Sequence, residues 1–167
     1  MNIEEWLTKK LRDYEFSDMV IAFILGFLFT NLSLFVHEAG HVIMANLLGC
    51  KAGISRLMVY VGASSVEETC SNINLIFIAL AGPFAAFLYG LYCWYAGGKD
   101  SILRMAGLIS FFYSVLPSLA PFIPTSDMGR AISFGFGEGI ANLIWLTVSA
   151  IVYYLVALEI KDRVKLF

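Results

Sequence analysis

Four stretches of the chain carry no Asp, Glu, Lys, Arg or His: residues 19–36, 69–98, 105–126 and 139–158, which are 18, 30, 22 and 20 residues long. A helix needs roughly 20 apolar residues to cross about 30 Å of hydrocarbon. Backbone in lipid must satisfy its own hydrogen bonds, so apolar runs without a two-residue alternation read as helices. The pattern predicts about four membrane-spanning helices, over residues 19–48, 74–95, 102–122 and 140–158. The first outlasts its charge-free stretch because residues 42–48 resume the apolar run. Pro117, Pro121 and Pro124 fall in and just after the third. Its end is therefore expected to be irregular, which is tolerated at that depth only against protein or a water-filled cavity.

Between the first two spans the helical pattern breaks. Gly49, Gly53 and Gly62 punctuate residues 49–68, and residues 54–61 are rich in β-branched and aromatic side chains. A short strand or β-hairpin near the membrane surface is predicted there. Ahead of the first span, Ile3, Trp6, Leu7, Leu11 and Tyr14 recur at three- and four-residue spacing, which predicts an interfacial amphipathic helix over residues 1–18. Acidic Glu4 and Glu5 and the long first span argue against a cleaved leader. The fold class is thus a mostly α-helical membrane protein, and residues 1–167 read as one integral membrane domain.

Composition agrees. The chain is 59% hydrophobic and 14% charged, against about 25% charged in an ordinary soluble domain. A disordered chain, a nucleic-acid binder and a small secreted disulfide scaffold are excluded, and the net charge of −2 gives no reason to expect a polyanionic partner. The lipid bilayer is the surrounding partner, and the expected location is a multi-pass position in the cell membrane. The three cysteines, Cys50, Cys70 and Cys93, form no CxxC and read as small apolar residues. A Cys50–Cys70 disulfide across the loop they flank is allowed but not indicated. Gly135 and Gly139 have the GxxxG spacing of helix dimers at the edge of a span, which leaves a homo-oligomer open.

Both histidines of the chain lie in one pentapeptide, His37-Glu38-Ala39-Gly40-His41. Positions i and i+4 share a helix face, so the two imidazoles can bind one metal ion, with Glu38 beside the metal's open position as a base. Ionisable groups inside a membrane helix are functional candidates by default. A catalytic zinc takes three protein ligands, so a third is needed. Among the 13 carboxylates, Asp127 follows the proline-broken end of the third span, where the chain can turn it back toward a neighbouring helix. Its competing reading is a helix N-cap, and Glu138 is a weaker candidate ligand.

Three segments resemble the site-2 protease family of intramembrane zinc metalloproteases. They are HEAGH in an apolar helix, the run AGPFAA at residues 81–86, which is similar to the family's AGPxxN, and SDMG at residues 126–129 after a proline-rich stretch, which is similar to its NxxP…DG. The resemblance implies one Zn²⁺ per chain held by His37, His41 and Asp127, with Glu38 as the base. It implies hydrolysis of peptide bonds in the transmembrane helix of another membrane protein. Ile54 and Val59, on the expected strand, could hold an unwound substrate by strand addition, and Ser118 is a candidate polar group beside it. Three departures stand out: Met128 replaces the family's DG glycine, Ala86 replaces the asparagine of AGPxxN, and Ser118 replaces that of NxxP. The alternative they keep alive is a catalytically inactive relative that binds membrane helices as a regulator. Orientation is also contested. Eight Lys and Arg flank the side holding both chain ends and Lys99, and three flank the other. That bias places the ends in the cytoplasm, whereas the family usually has the loop after HExxH on the cytoplasmic side.

Overall fold

The computed structural model describes residues 16–58, 61–66, 70–97 and 102–164. Helix α1 (Phe16–Leu47) leads into a hairpin of β1 (Ala52–Met58) and β2 (Val61–Val66). Helix α2 (Asn72–Ala96) runs back beside α1, and α3 (Ile102–Ser118) returns again. A short helix α4 (Asp127–Ser133) and the long α5 (Glu138–Val164) follow. The expected surface helix over 1–18 falls almost wholly outside the described residues.

Three of these helices, within α1, α2 and α5, are long and apolar enough to cross a membrane. The third predicted span is shorter than expected, a helix over Ile102–Ser118. It stops four residues early, and its path is uneven. A π turn over Phe111–Val115 sits just before Pro117, which has no N–H to give the preceding turn. The chain beyond it runs irregularly through Pro121 and Pro124 to α4.

Lipid offers no hydrophobic drive for helices to associate, so they meet through close backbone packing and hydrogen bonds. Both occur here. A Cβ on Gly40 would lie 2.6 Å from the Ala81 carbonyl oxygen, and one on Gly107 would lie 2.7 Å from that of Gly90. Small residues thus let α1 and α3 close onto α2. Between the three helices lie the buried hydroxyls of Ser33, Ser110 and Ser114. Ser33 donates to Ser110 at 2.9 Å, and Ser110 donates to the Ala86 carbonyl at 2.9 Å. Each hydroxyl has one proton, so the 2.7 Å bond between Ser114 and Ser33 is donated by Ser114. Ala86, Phe111, Val115, Met128 and Val152 form the centre of the apolar core, while Phe23, Phe84, Leu143 and Tyr153 point outward.

At one end of the bundle Arg104 pairs with Glu159 at 3.0 Å and lies 4.8 Å over the Trp94 ring. The start of α3, the end of α2 and the end of α5 are therefore neighbours. At the other end the hairpin is antiparallel, from Ala52 opposite Val66 to Met58 opposite Val61, with an irregularity between Ile54 and Arg56. Ile54 pairs with Ser64. Its side chain and all of Val59 lie outside the described residues. Cys50 and Cys70 form a disulfide with Cα atoms 5.9 Å apart, which corrects their reading as unlinked apolar residues. Cys93 is free and buried.

Candidate metal centre

The turn spacing of α1 brings His37 and His41 onto one face, with their Nε2 atoms 3.1 Å apart. Both are buried, as is Glu38 between them. The ligand-type atoms of His37, Glu38 and His41 all lie within 4.8 Å of one another. His41 has a defined orientation. Its Nδ1 lies 2.7 Å from the Ile78 carbonyl oxygen, which can only accept. Nδ1 is thus the protonated nitrogen, and the Nε2 lone pair faces the cluster. A carbonyl behind a histidine is the usual outer support of a metal-ligating imidazole. The Nδ1 of His37 is buried without a hydrogen-bond partner.

Asp127 arrives from the far side. One carboxylate oxygen is 3.0 Å from His37 Nε2 and the other 3.5 Å from His41 Nε2. The N-cap role considered for it belongs to Ser126, whose Oγ accepts the Gly129 N–H at 2.9 Å. The same hydroxyl lies 2.7 Å from the carbonyls of Ala120 and Ile123, so it ties α4 to the proline-rich turn. Asp127 is the first helical residue, and its carboxylate is left for the histidines. Burial pushes its carboxyl pKa up, but the adjacent imidazoles of His37 and His41 outweigh this and hold it well below the usual carboxylate range. Ser126→Ala should cost about 1 kcal/mol of local stability. Zinc affinity measured by chelator competition should fall about five-fold, with full occupancy still reached at saturating metal.

Two glycines set the walls. A Cβ on Gly82 would run into the imidazole of His41, and one on Gly129 would run into the Ile123 carbonyl. Gly82 is therefore a cradle for the ring, and Gly129 lets the turn lie against α4. Sequence reasoning had the AGP run only as a resemblance. What it missed is the contact, because nothing in the spacing of residues 41 and 82 says that they touch. Met128, at the family's glycine position, is fully buried in the core, and so is Ala86. A cleft of about 260 Å³ opens beside the cluster, lined by His41, Leu75, Ile78, Ala79, Asp127, Arg130 and Phe134. Ser118 is half-buried at the end of α3 and is not among these lining residues. Glu138 begins α5 and is exposed.

The donor set fits a zinc ion. Two imidazole nitrogens and an anionic carboxylate converge inside an apolar bundle, where lone pairs and negative charge this close call for a cation between them. Two histidines and an acidic oxygen ligand match the three protein donors of catalytic zinc sites.

A stretch of 79 residues is 37% identical to "Probable zinc metalloprotease EGY2, chloroplastic" of Arabidopsis thaliana. The match takes in 43% of this chain and 14% of that protein, so the chain spans a small part of its relative's length. No solved structure matches the chain. The family Peptidase M50B-like matches residues 19–160. With that match over most of its length, and with its apolar helices, this membrane protein belongs to the Peptidase M50B-like family, of site-2 protease type.

Proposed function

We propose that the protein is an intramembrane zinc metallopeptidase that hydrolyses peptide bonds in or near transmembrane segments of other membrane proteins. The observation that carries this is the convergence of His37, His41 and Asp127 beside Glu38, at the wall of a cleft in a helical bundle. His37, His41 and Asp127 would hold the metal. Zinc, when bound, supplies Lewis acidity that polarises the scissile carbonyl and acidifies water. Glu38 takes the proton of the attacking water and delivers it to the leaving amine. Arg130 is a cation on the cleft wall, placed to meet a carbonyl or an acidic side chain of the substrate.

The substrate must unwind before its carbonyls can react. Ile54, on β1, and Val59 would receive it by strand addition, and Ser118 would offer it a hydroxyl. An apolar groove of about 420 Å³ between α2 and α5, lined by Leu80, Ala81, Phe87, Ile144 and Val148 among others, gives a membrane helix a lateral approach. The cell membrane is the proposed location. The buried Ala86 and Met128 favour a second reading, a regulator that binds membrane helices without cutting them.

The first test is zinc content in detergent. Near-stoichiometric zinc is expected in the native protein, with a drop of at least about ten-fold in Asp127→Ala, since one of three ligands is lost. Equal zinc in both proteins would remove Asp127 from the ligand set. No zinc in the native protein after metal loading would overturn the metallopeptidase reading.

A further inference from the structure

We infer that the cleft of the metal centre opens into an oxidising, non-cytoplasmic compartment, where the Cys50–Cys70 disulfide staples the hairpin to the paired ends of α1 and α2. This is the opposite of the orientation that the family resemblance implies. Two independent features carry it.

The first is the cysteine pair. Cys50 follows the end of α1 and Cys70 precedes the start of α2, with Cα atoms 5.9 Å apart, within the span a disulfide bridges. Cys50 packs in a small cluster with Ala45 and Ile78, and Cys70 lies against it. Closing the bond removes two protons and two electrons from the two thiols. They pass to a disulfide oxidant of the compartment, which leaves as a dithiol. Such bonds persist outside the cytoplasm and are rare within it.

The second is charge. The Arg104–Glu159 pair puts the start of α3 and the end of α5 together, at the end of the bundle opposite the hairpin. In the sequence, the segments before α1, between α2 and α3 and at the end of α5 hold Lys9, Lys10, Arg12, Lys99, Arg104, Lys161, Arg163 and Lys165. The hairpin end holds Lys51, Arg56 and Arg130. Lys and Arg next to membrane helices mark the cytoplasmic side, so the hairpin faces away from it.

The cleft belongs to the hairpin end. Leu75 and Ile78 lie in the first turns of α2. His41 is six residues from the end of α1 at Leu47, or about 9 Å at 1.5 Å per residue. Resting on the peptidase reading, the substrate class narrows to membrane segments cut within their first turns on the non-cytoplasmic side.

The test reads thiols and sidedness, not cleavage, so it succeeds or fails independently of peptidase activity. The full-length protein is produced in the inner membrane of a bacterial host, quenched with acid, denatured and alkylated. One label is expected without reductant, on Cys93, and three with it. Glu138→Cys and Lys161→Cys, both at exposed positions, are then added singly to the native chain. An impermeant maleimide on cells with a permeabilised outer membrane should label E138C at least ten-fold more than K161C. Inner-membrane lysis should equalise them. Three labels without reductant, or K161C labelled from outside, would overturn the inference. Should the cysteine variants fail to accumulate, a reporter fused after Phe167 of the native chain decides the matter. Activity confined to a cytoplasm-requiring reporter supports the inference, and activity confined to an export-requiring one overturns it.

Discussion

Glu38→Gln should abolish peptide hydrolysis while leaving zinc in place. Glutamine keeps the size of glutamate and can still accept a hydrogen bond, but it cannot take a proton from water at neutral pH. The proposed ligands, His37, His41 and Asp127, are untouched by the change. General base catalysis contributes about 10²–10⁴-fold, so turnover of a membrane-segment substrate in proteoliposomes should fall by that factor. Zinc content should stay within about ten per cent of the native value, as measured on the same preparation. Native protein and variant that process every substrate alike, both with full zinc, would leave the regulator reading in possession of the site.

The parts of this site that were legible in the sequence were those written in local spacing. His37, Glu38 and His41 lie within one and a half helical turns, and helix geometry alone brings the two histidines to one face with Glu38 at its edge. Asp127 was legible through chemistry. A carboxylate after three prolines, in a chain that is otherwise apolar there, has few reasons to exist. The hairpin showed through its glycines and β-branched run. What stayed hidden depends on contacts between distant segments. No periodicity relates Gly82 to the ring of His41, Ser126 to the carbonyls of Ala120 and Ile123, or Ser33 to Ser110. The predicted third span runs too long because residues 119–122 are apolar, and hydrophobicity does not register where Pro117 and Pro121 end a helix. Cys50 and Cys70 flank one loop in the sequence, yet only folding decides that their Cα atoms come within bridging distance.

Gly82→Ala is expected to be nearly as damaging as losing a ligand, though it removes no donor atom. An added methyl would occupy the space of the His41 imidazole. The ring would have to turn, giving up its Nδ1–H bond to Ile78 and carrying Nε2 away from Asp127. Disturbing an outer support of a metal ligand costs 10–100-fold in affinity. Displacing the ligand itself should cost at least about 100-fold, read by zinc competition. Alanine is the better helix former by about 1 kcal/mol, so α2 should not unravel, and detergent-solubilised variant should keep its helical circular dichroism. Gly26→Ala is the matched control. Its Cβ meets nothing within 4 Å, and zinc affinity should not change. Equal loss in both variants would mean that the effect is on α1–α2 folding in general and not on the ring.

The hydroxyl relay from Ser114 through Ser33 and Ser110 to the Ala86 carbonyl works as a key for rotation. Hydrocarbon is indifferent to which apolar face of α1 it wets, so greasy packing alone would let that helix turn about its axis at little expense. Turning it by one residue, about 100°, would strand the Ser33 and Ser114 hydroxyls away from water and from each other, while Ser110 keeps only its bond to the Ala86 carbonyl. Ser33 stands one turn before His37 on the same face of α1. The relay therefore sets the angle at which the histidines meet Asp127, and a chain with few polar groups uses several of them to tell a symmetrical-looking cylinder which way to point.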